Sequence, residues 1–190
     1  MAREYNSEEF QKMRSSRLYS FEDADVLDSC RHANELCARL SGMTLSSPDY
    51  RRTLESLIPG VPQSSAVNPP FHCDHGNGII IGEHTFINYD CIILDGGIVT
   101  IGSHCKIGPR CQLLTPQHPK DYEERRRPVE TCFPITIGDD CWLGGGVTVC
   151  PGVSIGARSI IAAGSVVVRD IPADSLAAGN PAVVKRRLRE

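Results

Sequence analysis

The stretch that decides the fold is residues 135–167, ITIGDDCWLGGGVTVCPGVSIGARSIIAAGSVV. An aliphatic residue recurs in it at every sixth position: Ile137, Leu143, Val149, Ile155, Ile161 and Val167. A helix repeats near 3.6 residues and a strand at 2, so neither produces this step. A fixed repeat is read before any single element, because it sets the architecture. Six residues make one short strand and one corner, and three such units close a triangular coil. Successive coils then stack about 4.8 Å apart, the spacing of paired strands. One aliphatic side chain per strand points inward. The position two residues earlier also faces in and must be small; here it holds Ile135, Cys141, Val147, Val153, Ser159 and Ser165.

Working outward, the same step links Ile81, Ile87 and Ile93, then, after two extra residues, Ile101, Ile107 and Leu113. The small inner position in this block holds Ile79, Thr85, Cys91, Val99, Cys105 and Cys111. Gly82, Gly102, Gly108, Gly138, Gly144 and Gly156 follow the aliphatic directly, at corners where a side chain would crowd the turn. Between Leu113 and Ile137 the pattern lapses, so residues 114–134 leave the coil as a loop. The expectation is a mainly β fold, a parallel β-helix over 66–190 with a long protruding loop and a C-terminal tail.

Residues 1–65 read differently. Val26, Leu27, Cys30, Ala33, Cys37 and Leu40 fall on one helical stripe. A short helix is expected over Ser7 to Arg14. Another is expected to begin at Ser47-Pro48 and to stop at Leu57 or Ile58, before Pro59-Gly60. This region is an N-terminal helical segment.

The chain has 190 residues, 41% hydrophobic, 23% charged and 6% aromatic, with a net charge of −3. That length suits one domain with a small appendage. The near-neutral charge argues against a nucleic-acid binder. No apolar run approaches the 18 or so residues of a membrane span, and Met1 to Phe10 is too polar for a signal-peptide core. The expected location is therefore the cytoplasm, where the nine cysteines stay reduced. Cys91, Cys105, Cys111 and Cys141 occupy the small inner position, where free Cys packs as a small hydrophobe. Cys30 and Cys37 lie on the helical stripe. Cys73, Cys132 and Cys150 receive no chemistry.

Several segments together carry a resemblance. They are Ser16-Arg17-Leu18-Tyr19, Pro70-Phe71-His72-Cys73-Asp74, Phe86-Ile87-Asn88-Tyr89-Asp90, Leu94-Asp95, Thr115-Pro116-Gln117-His118-Pro119, Pro134-Ile135-Thr136-Ile137-Gly138, Trp142-Leu143-Gly144 and Ala178-Gly179-Asn180-Pro181-Ala182. With these, the chain resembles the hexapeptide-repeat acyltransferases, and more narrowly the maltose and galactoside O-acetyltransferases. The resemblance implies a left-handed β-helix, acetyl-CoA as donor, a sugar or glycoside hydroxyl as acceptor, and a homotrimer with active sites between subunits. No nucleic-acid or membrane partner is expected, from the near-neutral charge and the lack of a long apolar run, and no metal is expected to be required.

Acetyl transfer to a hydroxyl needs a base, oxyanion stabilisation and a groove for the donor. An imidazole with a pKa near 6.5 is an economical base. His118 lies in the loop that breaks the repeat, and the resemblance makes it the general base. For the acceptor, the resemblance implies Asp74, Asn88 and Asp95. It places the donor on Gly145, Ala163, Val168, Arg169 and Arg186. Trp142 is expected as a wall of the donor groove or as a core residue. Lys185 joins Arg186 as a cation for the CoA phosphates. Arg187 and Arg189 read as a solvated tail, and Arg125, Arg126 and Arg127 as a solvated charge run. Two departures concern the acceptor. Gly96 stands where some galactoside enzymes carry a second Asp. Phe21 stands where the family often has an acidic sugar contact, a role that Glu22 or Asp23 would have to fill.

Three other readings compete. His84 and His104, one coil apart, with His72 and His75 nearby, suggest a zinc enzyme. A solenoid without activity is a binding module. An acetyltransferase for antibiotic hydroxyls shares the fold and the loop histidine.

Overall fold

The computed structural model describes residues 4–189. Met1–Arg3 and Glu190, which the expected boundaries include, lie outside the described residues. The chain forms a mainly β, left-handed parallel β-helix of about six turns. Its first face stacks Ile79–Ile81, Val99–Ile101, Ile135–Ile137 and Ser154–Ile155 in parallel. The second face stacks Ala66–Val67, Phe86–Ile87, Lys106–Ile107, Trp142–Leu143, Ile160–Ile161 and Ser175–Gly179. The third face stacks Phe71–Cys73, Cys91–Leu94, Gln112–Leu114, Thr148–Val149 and Val166–Val167.

Both inward positions of the repeat are buried throughout. The aliphatic from Ile81 to Val167 is at most 6% exposed, and the small residue two places earlier at most 3%. The small position does more than fill space. Ser65 Oγ donates to Gly82 O at 2.7 Å, Thr85 Oγ1 to Gly102 O at 2.7 Å and Ser159 Oγ to Pro172 O at 2.9 Å. Cys105 and Cys141 take the same place in this column, donating to Gly138 O at 3.1 Å and Gly156 O at 3.2 Å. At the next corner Cys91 and Cys111 bond Gly108 O and Gly144 O, each at 3.2 Å. The thiols are therefore weak donors to the neighbouring coil as well as small plugs.

The glycines after the aliphatic sit where coils meet. A Cβ on Gly138 would stand 2.6 Å from Ala157 N and 2.8 Å from Ala157 Cα. Left-handed backbone falls elsewhere, three residues after the aliphatic, at His84, Asp90, His104, Arg110, Asp140 and Arg158.

The helical region has three helices: α1, Glu8–Arg14; α2, Ala24–Ser41; and α3, Tyr50–Leu57. Ser7 caps α1 by accepting from Phe10 N, and Asp23 caps α2 by accepting from Asp25 N and Val26 N. The stripe of α2 differs from the expected one. Val26, Ser29, Ala33, Leu36, Cys37 and Leu40 are buried, Cys30 is half-buried and Leu27 is 46% exposed. Helix α3 begins at Tyr50 rather than at Ser47, because Ser47 closes a turn: its Oγ accepts from Thr44 N at 2.9 Å. Leu36, Leu40, Leu54 and Leu57 belong to the same buried cluster as the first coils, so the helices plug the end of the solenoid. Among the described residues no helix is long and apolar enough to cross a membrane.

Close coil contact makes the corner glycines sensitive. Gly138→Ala is expected to destabilise the protein by about 1–3 kcal/mol, because backbone on the next coil must shift. In Gly42→Ala the new Cβ meets only Arg39 O, at 3.8 Å, so stability should change by less than about 0.5 kcal/mol. Urea denaturation of the two variants checks the contrast.

Candidate active site

Residues 114–134 form an ordered arm. Pro116–Gln117 pairs antiparallel with Val129–Cys132, and Tyr19–Ser20 adds a third strand beside Glu130 and Val129. At its tip, Glu124–Arg126 makes a 3₁₀ turn. Arg125, expected as part of a solvated run, donates to Pro119 O at 2.8 Å and Lys120 O at 3.1 Å. It ties the chain back onto the segment that follows His118. Beneath the arm lies a small second core of Phe10, Met13, Tyr19, Val26 and Cys132, with Phe21 packed against it.

His118 projects from this arm with its side chain 54% exposed. Its Nε2 lies 3.7 Å from Oε2 of Glu130, whose side chain is largely buried. The Tyr19 hydroxyl donates to the other oxygen of Glu130. Burial and its acidic surroundings hold Tyr19 protonated, so it remains a donor. The Phe21 ring stands edge-to-face with the imidazole, centroids 6.3 Å apart. Glu130 was not read as a site residue, Tyr19 only as part of a segment of the resemblance, and Phe21 only as a departure from an acidic contact. Tyr19 and Glu130 meet by β-strand pairing across more than a hundred residues of sequence.

Asp74 and Asp95 belong to the same electrostatic group as Glu130. Burial, and then the charges of Asp95 and Glu130, push the Asp74 carboxyl up to about 7. Asp95 is fully buried, and its two oxygens accept from His75 N at 2.8 Å and Gly78 N at 2.9 Å. The expected direct acceptor contact at Asp95 therefore meets a carboxylate already engaged by backbone. It fixes the two-residue bulge after Leu94. Arg14 reaches that bulge from α1, donating to Gly96 O at 2.9 Å and to Asp95 O. A side chain at Gly96 would strike Cys132 Sγ, so no second carboxylate fits there. Asp23 is engaged as the α2 cap, Glu22 is exposed, and the Phe21 ring stands beside the imidazole.

The other expected residues lie elsewhere. Asn88 lines a groove of about 630 Å³ on the second face, with Ile107, Pro109, Trp142, Gly145, Ala163 and Leu176. Trp142 is 54% exposed, so it walls the groove and is not core. His118, Asp74, Asp95 and Glu130 are not among the residues that line it. Val168 and Arg169 are exposed on the corner after Val167. The expected basic tail is a strand, Ala182–Arg187, antiparallel to Ser175–Gly179. Arg186 sits opposite Leu176 at the groove edge, with Lys185 beside it. Arg187 is not free in solvent: it donates to Ala173 O at 2.8 Å.

For the metal reading, the His84 and His104 rings stack with centroids 4.9 Å apart. His75 is buried apart from them, with Nδ1 3.0 Å from Ser29 Oγ. Among the described residues no three His, Cys, Asp or Glu side chains are grouped to hold an ion. The described cysteines are all free, and burial pushes Cys30 up to about 12 and Cys132 up to about 11.

The fold agrees with that of known proteins. Residues 134–169 match the family model for the bacterial transferase hexapeptide (six repeats). A putative acetyltransferase of Saccharomyces cerevisiae is 44% identical over 150 residues, 77% of this chain and 76% of that protein. A hexapeptide-repeat acetyltransferase of Vibrio cholerae, solved with acetyl coenzyme A, is 38% identical with a TM-score of 0.90, covering 97% of this chain and all of that one. A maltose O-acetyltransferase of Clostridium difficile is 34% identical with a TM-score of 0.93, covering 98% and 100%. The chain belongs to the hexapeptide-repeat acetyltransferase family.

The Asp74 carboxyl supplies a pH test. Its folded pKa of about 7 exceeds the ordinary 3.8, so the folded state holds the proton longer and this residue's contribution falls as pH rises between those values. Asp74→Asn removes that loss. Its melting temperature should match wild type near pH 4, exceed it increasingly up to pH 7, and hold a constant lead above.

Proposed function

We propose that this protein transfers the acetyl group of acetyl-CoA to a hydroxyl of a sugar or glycoside, with His118 as general base. The observation that carries the reading is the His118–Glu130–Tyr19 chain on a rigid arm. One imidazole nitrogen faces a buried carboxylate that a tyrosine holds in place. The other ring nitrogen is left to accept the hydroxyl proton. The acceptor oxygen attacks the thioester carbonyl, the tetrahedral adduct expels the CoA thiolate, and the proton taken by His118 passes to that sulfur. The products are an O-acetyl ester and CoA. Asn88 and backbone N–H groups of the coil are placed as candidates for the oxyanion or acceptor. Asp74 and Glu130 offer carboxyl groups to acceptor hydroxyls, and Asp95 supports them by holding the bulge.

The second-face groove suits the donor. Small residues at Gly145 and Ala163 leave room against Trp142 for a pantetheine chain. Lys185, Arg186 and Arg169 offer cations for phosphates, and Val168 lies beside them. In one chain the groove and the His118 arm are lined by different residues on different faces. This separation supports a homotrimer in which the arm of one subunit completes the groove of the next. The buried free thiols suit a reducing, cytoplasmic setting.

His118→Ala should lower kcat by about 10²–10⁴-fold with little change in the KM for acetyl-CoA. CoA release, followed with a thiol reagent across a panel of sugars, measures both. Unchanged kcat would remove His118 as the base, and no CoA release with any hydroxyl acceptor would favour a binding module.

A further inference from the structure

The buried thiols of this chain are engaged in two ways. Cys91, Cys105, Cys111 and Cys141 hand their S–H groups to carbonyls of the neighbouring coil at 3.1–3.2 Å. Cys91 stands beside Cys111 in register, and Cys105 beside Cys141. Joining either pair would take the donor from those carbonyls inside the fold, a costly loss. Cys37 and Cys73 differ. Their sulfurs lie 3.8 Å apart, and neither thiol donates to a carbonyl among the described residues. Cys37 belongs to α2 and Cys73 to the strand Phe71–Cys73, in one buried cluster with Leu40, Leu57 and Phe71. A disulfide holds its sulfurs at about 2.05 Å, so this pair has to close by less than about 2 Å. Joining it takes no donor from a carbonyl. It closes a loop that carries α3, and it fastens the helical plug to the solenoid.

We propose that Cys37 and Cys73 form a redox modification site, at which a peroxide converts the two thiols into a disulfide that locks α2 onto the first coil. Both thiols are nearly covered, 3% and 4% exposed, so local opening of α2 admits the oxidant. With Cys73 donating the S–H···S bond, Cys37 is lowered, whereas that bond and burial raise Cys73; Cys37 is the first to ionise. The Cys37 thiolate attacks one oxygen of hydrogen peroxide, the O–O bond breaks and hydroxide leaves, giving a sulfenic acid. The Cys73 thiolate attacks that sulfur, the S–O bond breaks and a second hydroxide leaves. The two hydroxides take up the two thiol protons. Two electrons pass from the sulfurs to the peroxide, and the products are one disulfide and two waters. Neither His118 nor the second-face groove takes part.

The test treats the folded full chain with a stoichiometric amount of hydrogen peroxide, alkylates the remaining thiols in denaturant, and maps the peptides without reduction. A linked Cys37–Cys73 peptide is expected, cleaved by dithiothreitol, with Cys91, Cys105, Cys111 and Cys141 recovered in alkylated form. The oxidised protein should melt at least about 5 °C above the reduced one, and reductant should remove the rise. Both results are read on wild type, so poor folding of a variant does not mask them. Cys37→Ala and Cys73→Ala should each lose the link and the rise. Thiols left unlinked, a link formed only after unfolding in urea, a link between coil cysteines instead, or a rise that survives in Cys37→Ala would overturn the proposal. So would a Cys37–Cys73 link that leaves the melting temperature unchanged.

Discussion

The whole molecule depends on how closely one coil can lie on the next at its corners. Two features permit that approach. Glycine after the inward aliphatic leaves no Cβ to meet the backbone of the following coil, as the 2.6 Å from Gly138 to Ala157 N shows. On the first face Ile79, Val99, Ile135 and Val153 fill the place two residues before the aliphatic, whereas at the corners that lead into the second and third faces a small donor at that place bonds a carbonyl of the neighbouring coil. Ser, Thr and Cys are interchangeable there because each offers one short donor and little volume. This explains four of the chain's nine cysteines, Cys91, Cys105, Cys111 and Cys141. It also explains the shortage of aromatic residues, since the triangular interior has no room for a large ring.

The candidate site lies where this regularity stops. The coil keeps phase across residues 114–134, so the excursion leaves and returns without disturbing the strands on either side. Its ends are fixed by Thr115, whose Oγ1 accepts from Gly97 N at 2.8 Å and donates to Leu94 O at 2.6 Å. Tyr19–Ser20 from the N-terminal region completes the arm as a third strand. The helical segment is therefore part of the candidate site as well as a plug for the solenoid: α1 brings Arg14 to the bulge, and the chain after it brings Tyr19 to Glu130 and Phe21 to His118. Carboxylates gathered around Glu130 would repel one another in the open. Here burial, backbone N–H groups on Asp95 and the raised pKa of Asp74 reconcile them.

The β-helix was legible because its signal is periodic and local: every inward position named from the six-residue step is buried. The helices were legible to within a few residues. Ser47 looked like a cap but served a turn, and Leu27 sat one step off the buried face of α2. The site was legible only in part. His118 lies in the loop that interrupts the pattern and was singled out through the resemblance, which also pointed to Gly145 and Ala163 for the donor, and these line the groove with Trp142. Glu130 was hidden, since strand pairing between residues 19 and 130 leaves no trace in spacing, and Phe21 was visible only as a departure from an acidic contact. Asp95 shows the converse: its carboxylate is visible in sequence, but its two backbone partners are set by a bulge that only the folded chain reveals.

The central claim is that the His118 arm of one subunit acts on the groove of another. Mixing two variants tests it most directly. His118→Ala removes the base and leaves the groove, whereas Gly145→Trp fills the groove and leaves the arm. Each alone should be inactive. Co-expressed in equal amounts, they should recover about a quarter of the wild-type rate of CoA release, because arm and groove are then drawn at random from different chains. A mixture as inactive as its components, from assemblies shown by mass to contain both variants, would contradict the account and place each site within a single chain.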